Sequence, residues 1–214
     1  MTPSGGWILD RQNRLWNGPL GAGERWRYPW SAAFISWVMC ESGLGGAEEF
    51  QRAVAHHAYI DQAIRARDRP ASRAAYAAYE RGEAAVAPGD LLCTSRRPVY
   101  RTLADRRRQM GTGARTHCDI VVKVDAEDGR VFAIGGNVRG SVSLKVLPAT
   151  SVQVPRASAG TPSSARPVFA HLKLRRASPL ANAFDASPTL RALGCHGPAG
   201  PAAGRGATCA LSQD

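Results

Sequence analysis

Between Pro29 and Cys40 the apolar residues Trp30, Ala33, Phe34, Trp37 and Val38 recur at helical spacing, with Pro29 and Ser31 as start signals and Gly43 as a stop. The pattern predicts a buried helix. A second helical pattern runs from Glu48 to Arg67, with Phe50, Val54, His57 and Ile64 near one face and Pro70 closing it. The alanine-rich run from Ala71 to Glu80 predicts a further turn or two of helix. The period then changes. Ala87-Pro88-Gly89-Asp90 is turn chemistry ahead of a short apolar strand, Leu91-Leu92-Cys93. His117 to Val124 and Val131 to Gly135 read as strands joined by the hairpin signature Asp125 to Arg130, and Ser141 to Leu147 as one more. Residues 94–116 are basic and polar and read as a long exposed connection. Helices first and antiparallel strands afterwards predict an α+β fold.

The periodicity fades outside this core. Residues 1–24 read as an irregular lead-in, 25–155 as the one domain, and 156–180 as an extension with a candidate strand at Val168 to Leu174. Residues 181–214, rich in Ala, Pro, Ser, Gly and Arg, are expected to be disordered. A chain of 214 residues accommodates one core with extensions, and no second core is expected.

A formal charge of +11, carried mostly by arginine, suits polyanionic partners such as nucleic acid, anionic lipid or acidic cell-wall polymers, and does not by itself choose among them. The densest basic run, Arg106-Arg107-Arg108, reads as a solvated face. No helix-turn-helix, zinc-finger or RNA-recognition signature is present. Cysteines stand at 40, 93, 118, 195 and 209, an odd number without C-x-x-C spacing. Neither a zinc ribbon nor a small disulfide framework is indicated, and the compartment stays undecided. No metal or organic cofactor is implied; Cys195, His196 and Cys209 lie in the tail, which offers no fixed ligand geometry. Met1 to Arg14 lacks the basic and apolar regions of a signal peptide, and no stretch approaches a membrane span. The chain reads as soluble, with a start further upstream in the gene left open.

A papain-type hydrolase places a nucleophile at a helix N-terminus, where the dipole and free N–H groups favour an anion, and a histidine on a neighbouring strand to take the proton. A third polar residue orients the imidazole. Ser31 opening a helix, His117 opening a strand and Asn137 after the next strand supply that order. Each has a plain alternative. From spacing alone, Ser31 reads more readily as a helix N-cap than as a nucleophile. His117 serves as a strand-end histidine, although it shares a face with Asp119, a carboxylate able to tune it. Asn137, after two glycines, serves as a turn residue in left-handed backbone. His57 is a reserve candidate for the base or a half-buried structural histidine, and Asp90 fixes the turn before its strand. Cys40 lies about 13 Å along the helix from its start, too far to replace a thiol at position 31, and Cys118 points to the sheet face opposite His117.

The segment Pro29-Trp30-Ser31-Ala32-Ala33-Phe34-Ile35-Ser36-Trp37-Val38 resembles the nucleophile helix of CHAP and NlpC-type peptidoglycan amidases, with Ser31 in place of their cysteine. Taken with His56-His57-Ala58-Tyr59-Ile60, Pro88-Gly89-Asp90-Leu91-Leu92-Cys93, His117-Cys118-Asp119-Ile120-Val121-Val122 and Gly135-Gly136-Asn137-Val138, it resembles the bacterial domain of unknown function 2272 over about residues 26–150. The resemblance implies a papain-like α+β domain with N-terminal helices packed on a small antiparallel sheet. It implies Ser31 as nucleophile, His117 as general base and Asn137 as the residue that holds the imidazole, with Trp30, His57 and Asp119 near the substrate. The expected activity is hydrolysis of an amide or peptide bond in peptidoglycan, in the periplasm or outside the cell. The alternative is a module that keeps the groove and binds a glycan or peptide without turnover, because a serine hydroxyl, unlike a thiol, must lose its proton during attack.

Overall fold

The computed structural model of the chain describes residues 29–44, 46–153, 166–180, 183–188 and 190. Six strands, β1 (Tyr76–Tyr79), β2 (Leu91–Arg97), β3 (Arg115–Asp125), β4 (Arg130–Val138), β5 (Ser141–Pro148) and β6 (Val168–Leu174), form one open sheet in the order β1-β6-β2-β3-β4-β5. Every neighbouring pair is antiparallel. The helices are α1 (Ser31–Glu41), α2 (His57–Asp68), and the short α3 (Leu103–Arg107) and α4 (Thr150–Gln153). The architecture is therefore α+β. No described helix is long and apolar enough to cross a membrane. Residues from Pro179 onward belong to a second unit, whose described residues include turns closed by Ala183 N–H to Leu180 O and Ser187 N–H to Phe184 O and the helical positions Pro188 and Leu190. The expected lead-in, and most of the tail expected to be disordered, lie outside the described residues.

Alternation along the strands divides the core between the two sheet faces. Leu91, Cys93, Cys118 and Leu172 pack with Ile35 and Met39 of α1 and with Tyr59, Ile60 and Ile64 of α2. Leu92, Val121, Val131 and Val168 pack on the other face with Val86 and Val152. The strand at Val168 to Leu174, weakly marked in sequence, lies between β1 and β2 and is buried over its first five residues.

Several expectations are corrected. The second helix starts at His57, not Glu48. Residues 46–56 fold as turns, with Gly46 O accepting the N–H groups of Glu49 and Phe50. Phe50 still enters the core, stacked on Tyr59 at 4.9 Å between ring centroids. Its apolar character fitted a helical period although a turn delivers it. The alanine-rich run is not helical: Tyr76–Tyr79 pairs with β6. Ala77 and Ala78 are buried there, so the small side chain answers to space between layers and tertiary packing overrides helix propensity.

The connection at 94–116 is more ordered than its polarity suggests. β2 runs on to Arg97, and α3 begins with a capping box in which Thr102 Oγ1 accepts the Asp105 N–H and Asp105 accepts the Thr102 N–H. Arg106 is fully buried, whereas Arg107 and Arg108 lie at the surface, paired with Asp68 and Asp105. The arginine run is thus a solvated face only in part. Cys93 and Cys118, opposite each other in the β2–β3 ladder, form a disulfide that the odd cysteine count concealed.

Candidate functional site

Ser31 is the first residue of α1, with Trp30 at the N-cap position and no side chain capping the helix. Its hydroxyl is therefore not spent on a cap. Ser31 Oγ lies 2.6 Å from Nε2 of His56, and both residues are buried. His56 stands at the start of α2, in a segment clipped to α1 by Ser36, whose Oγ donates to Ala53 O at 2.8 Å and accepts the Ala53 N–H at 3.0 Å. On the far side of the ring, Nδ1 meets the Tyr59 hydroxyl and accepts the backbone N–H of Cys118 at 3.2 Å. Burial, followed by the neighbouring His117, holds the pKa of His56 well below the ordinary imidazole range, so the ring is neutral at neutral pH. Burial and the Asp119 charge push the Tyr59 phenol well up, and it keeps its proton.

His117 stands beside this pair, its ring centroid 5.3 Å from that of His56. Its Nε2 lies 2.9 Å from Asp119 Oδ1, the same-face neighbour two residues along β3. Lys145 of β5 places Nζ 2.8 Å from both Asp119 oxygens and 3.4 Å from His117 Nε2. Burial alone would raise the Asp119 pKa, but the hydrogen bonds and charges of His117 and Lys145 outweigh it and leave the carboxyl ionised below its ordinary range. An ionised Asp119 accepts the Nε2–H of His117, which leaves the Nδ1 lone pair of that ring as its basic position.

Two glycines let the layers close around the cluster. A Cβ on Gly135 would fall 1.9 Å from Asp119 Oδ1 and 3.0 Å from His117 Nε2, and one on Gly136 would fall 2.7 Å from Phe34 Cβ. Asp119 cannot swing aside without leaving Lys145 and His117. Gly135→Ala is therefore expected to cost about 1–3 kcal/mol of stability, in the range of other overpacked sites. Gly113→Ala, where nothing lies within 4 Å of the added carbon, serves as a near-neutral comparison in urea unfolding. Equal midpoints for the two variants would show that Asp119 is not pinned.

The sequence-based candidates are thus distributed unevenly. Ser31, His117 and Asp119 lie in one cluster through His56, but the hydrogen bond of Ser31 is to His56 and that of His117 is to Asp119. Asn137 has φ 55°, the left-handed turn conformation, and its side chain makes no hydrogen bond among the described residues; Asp119 holds His117 instead. Trp30 is half-buried at the N-cap, and its carbonyl accepts the Phe34 N–H at 3.0 Å. His57 Nδ1 sits against the backbone of Ala114, at 3.3 Å from the carbonyl and 3.4 Å from the amide nitrogen.

The family model described as an uncharacterized protein conserved in bacteria, DUF2272, matches residues 5–174. The chain belongs to this family. No curated protein and no solved structure matches it. The DUF2272 match covers every residue of the cluster, including three to which the sequence alone assigned no role: His56 and Tyr59, seen only as part of a family motif, and Lys145. His56 and Tyr59 left a faint signal, being three residues apart and so on one helical face. Lys145 left another. β5 turns Val142, Leu144 and Val146 outward while Ser143, Lys145 and Leu147 are less exposed, so its polar members Ser143 and Lys145 lie toward the sheet.

Proposed function

We propose that this DUF2272 protein is a hydrolase of papain-like layout that cleaves an amide or peptide bond in cell-wall peptidoglycan with Ser31 as nucleophile. The observation that carries the reading is the Ser31–His56 contact of 2.6 Å at the uncapped N-terminus of α1, beside the carboxylate-held His117. Ser31 Oγ attacks the carbonyl carbon while an imidazole takes the hydroxyl proton. The C–N bond then breaks as that proton passes to the leaving amine, and water hydrolyses the resulting ester. Backbone N–H groups in the first turn of α1, which no side chain caps, would stabilise the oxyanion. His117 makes no hydrogen bond to Ser31 at rest; such contacts commonly tighten only with substrate, or run across one water. The choice of substrate rests on the resemblance to CHAP and NlpC-type amidases and on a charge of +11, which suits an acidic wall polymer. The buried Cys93–Cys118 disulfide supports a place of work outside the reducing cytosol.

A second reading, a module that binds wall glycan or peptide without turnover, is favoured by one observation: Ser31 is only 6% exposed and its oxygen is already engaged by His56. Mass spectrometry after incubation with a fluorophosphonate separates the two. Stoichiometric labelling of the wild type, lost in Ser31→Ala and His117→Ala, is expected for the hydrolase. A folded wild type that stays unlabelled moves the assignment to the binding module.

A further inference from the structure

The contact between Ser31 Oγ and His56 Nε2 admits two proton arrangements. Either the hydroxyl donates to a lone pair on Nε2, or an Nε2–H donates to Oγ. The far side of the ring decides between them. The backbone N–H of Cys118 reaches Nδ1 at 3.2 Å, and an amide N–H can only donate. That N–H is available for a topological reason. The β3–β4 ladder begins at Ile120–Ile134, and Val121 N–H, bonded to Asp90 O, points to the β2 side. N–H directions alternate along a strand, so Cys118 N–H points to the β4 side, in the stretch of β3 that β4 does not pair. The His56 ring takes that place, and the protonated Tyr59 hydroxyl stands against the same nitrogen. A neutral imidazole whose Nδ1 lone pair is occupied carries its hydrogen on Nε2.

We infer that His56 is a fixed Nε2–H donor to Ser31 Oγ, and that the hydroxyl proton goes instead to Nδ1 of His117. The donor half stands on geometry alone; the proton-acceptor half rests on the hydrolase reading above. The two histidines then have different tasks. As Oγ bonds to the acyl carbon and its proton moves to His117, the negative charge builds on the former carbonyl oxygen, while the His56 N–H stays on Oγ and holds it in line for attack. Asp119 accepts from Nε2 of the resulting imidazolium, and His117 returns the proton to the leaving amine. His56 orients the oxygen throughout without changing its own protonation.

The test uses the full chain with 15N-labelled histidine. Long-range 1H–15N correlation at neutral pH reads the tautomer directly, and the His56 ring is assigned as the signal absent from His56→Gln. The expected result is a pyrrole-type Nε2 and a pyridine-type Nδ1; a protonated Nδ1 in the resting protein overturns the inference. Fluorophosphonate labelling supplies the second arm, because the Gln side-chain N–H2 can stand in for the Nε2–H and cannot act as a base. His56→Gln is expected to label within about tenfold of the wild-type rate, whereas loss of a base, as in His117→Gln, costs about 10²–10⁴-fold. A folded His56→Gln that labels as poorly as His117→Gln makes His56 the base and overturns the inference. An unlabelled wild type refutes the hydrolase reading and not the donor assignment, which the tautomer spectrum still decides.

Discussion

Arg106→Ala is expected to lower the free energy of unfolding by about 3–5 kcal/mol, the range for removing one partner of a buried ion pair. Arg106 is 0% exposed and Asp61 3%. The guanidinium is bidentate on Asp61, with Nε to Oδ1 and Nη2 to Oδ2 both at 2.7 Å. Its Nη1 donates to Thr112 O at 2.9 Å and to Tyr100 Oη at 3.1 Å. Asp61 Oδ2 also accepts the Gly111 N–H at 2.9 Å. One arginine thus fastens the stretch from Tyr100 to Thr112 onto α2. Its removal leaves a carboxylate in the interior without its cation and several loop groups without partners. A loss of this size is a large share of the roughly 5–15 kcal/mol that stabilises a typical domain. Urea unfolding of Arg106→Ala, Asp61→Ala and the double variant measures it. The double variant is expected to fall well short of the sum, because neither charge is then stranded. Full additivity, or a change below about 1 kcal/mol in Arg106→Ala, would show the pair to be solvated like an ordinary surface bridge.

Reduction of the Cys93–Cys118 disulfide is expected to cost about 3–4 kcal/mol. The two cysteines are 25 residues apart in sequence, and the bond closes a loop that contains α3 and the whole of the 98–114 connection. The stabilisation arises chiefly from the unfolded chain, which loses freedom when that loop is closed. Both cysteines are 0% exposed in the core between α1, α2 and the sheet, so access to reductant should require partial opening. The measurement is the urea midpoint with and without reductant, alongside a peptide map that identifies the linked peptides. Cys93→Ala should match the reduced wild type. A protein isolated from an oxidising environment with free thiols at 93 and 118 would contradict the pairing.

The helix around Ser31 was legible because it is local. Pro29, the apolar run and Gly43 all lie within a few turns of one another, and the helix forms at Ser31–Glu41. The face expected to be buried is corrected: Ser31, Ala32, Ala33, Ile35, Ser36 and Met39 are buried, whereas Trp37 is exposed and Trp30, Phe34 and Val38 are only half-buried. The hairpin strands flanking residues 125–130 were legible for the same reason, through alternation and turn chemistry. The pairing of His117 with Asp119 could be anticipated from the two-residue period of a strand.

The remainder depended on pairings between distant segments. Ala71 to Glu80 carries a helical composition, yet Tyr76–Tyr79 becomes an edge strand because β6, nearly a hundred residues later, offers it a partner. Arg106, Arg107 and Arg108 are chemically alike, and only the position of Asp61 across the fold separates the buried one from its exposed neighbours. Cys93 and Cys118 pair because the β2–β3 register sets them opposite each other. At the site, sequence determined which chemical groups are present: a hydroxyl at a helix start, neighbouring histidines and a carboxylate beside His117. Tertiary structure decided which imidazole meets the hydroxyl. The ladder leaves Cys118 N–H free at the place where His56 arrives, and that contact is set by the docking of α1 and α2 on the sheet, which no local pattern in the chain encodes.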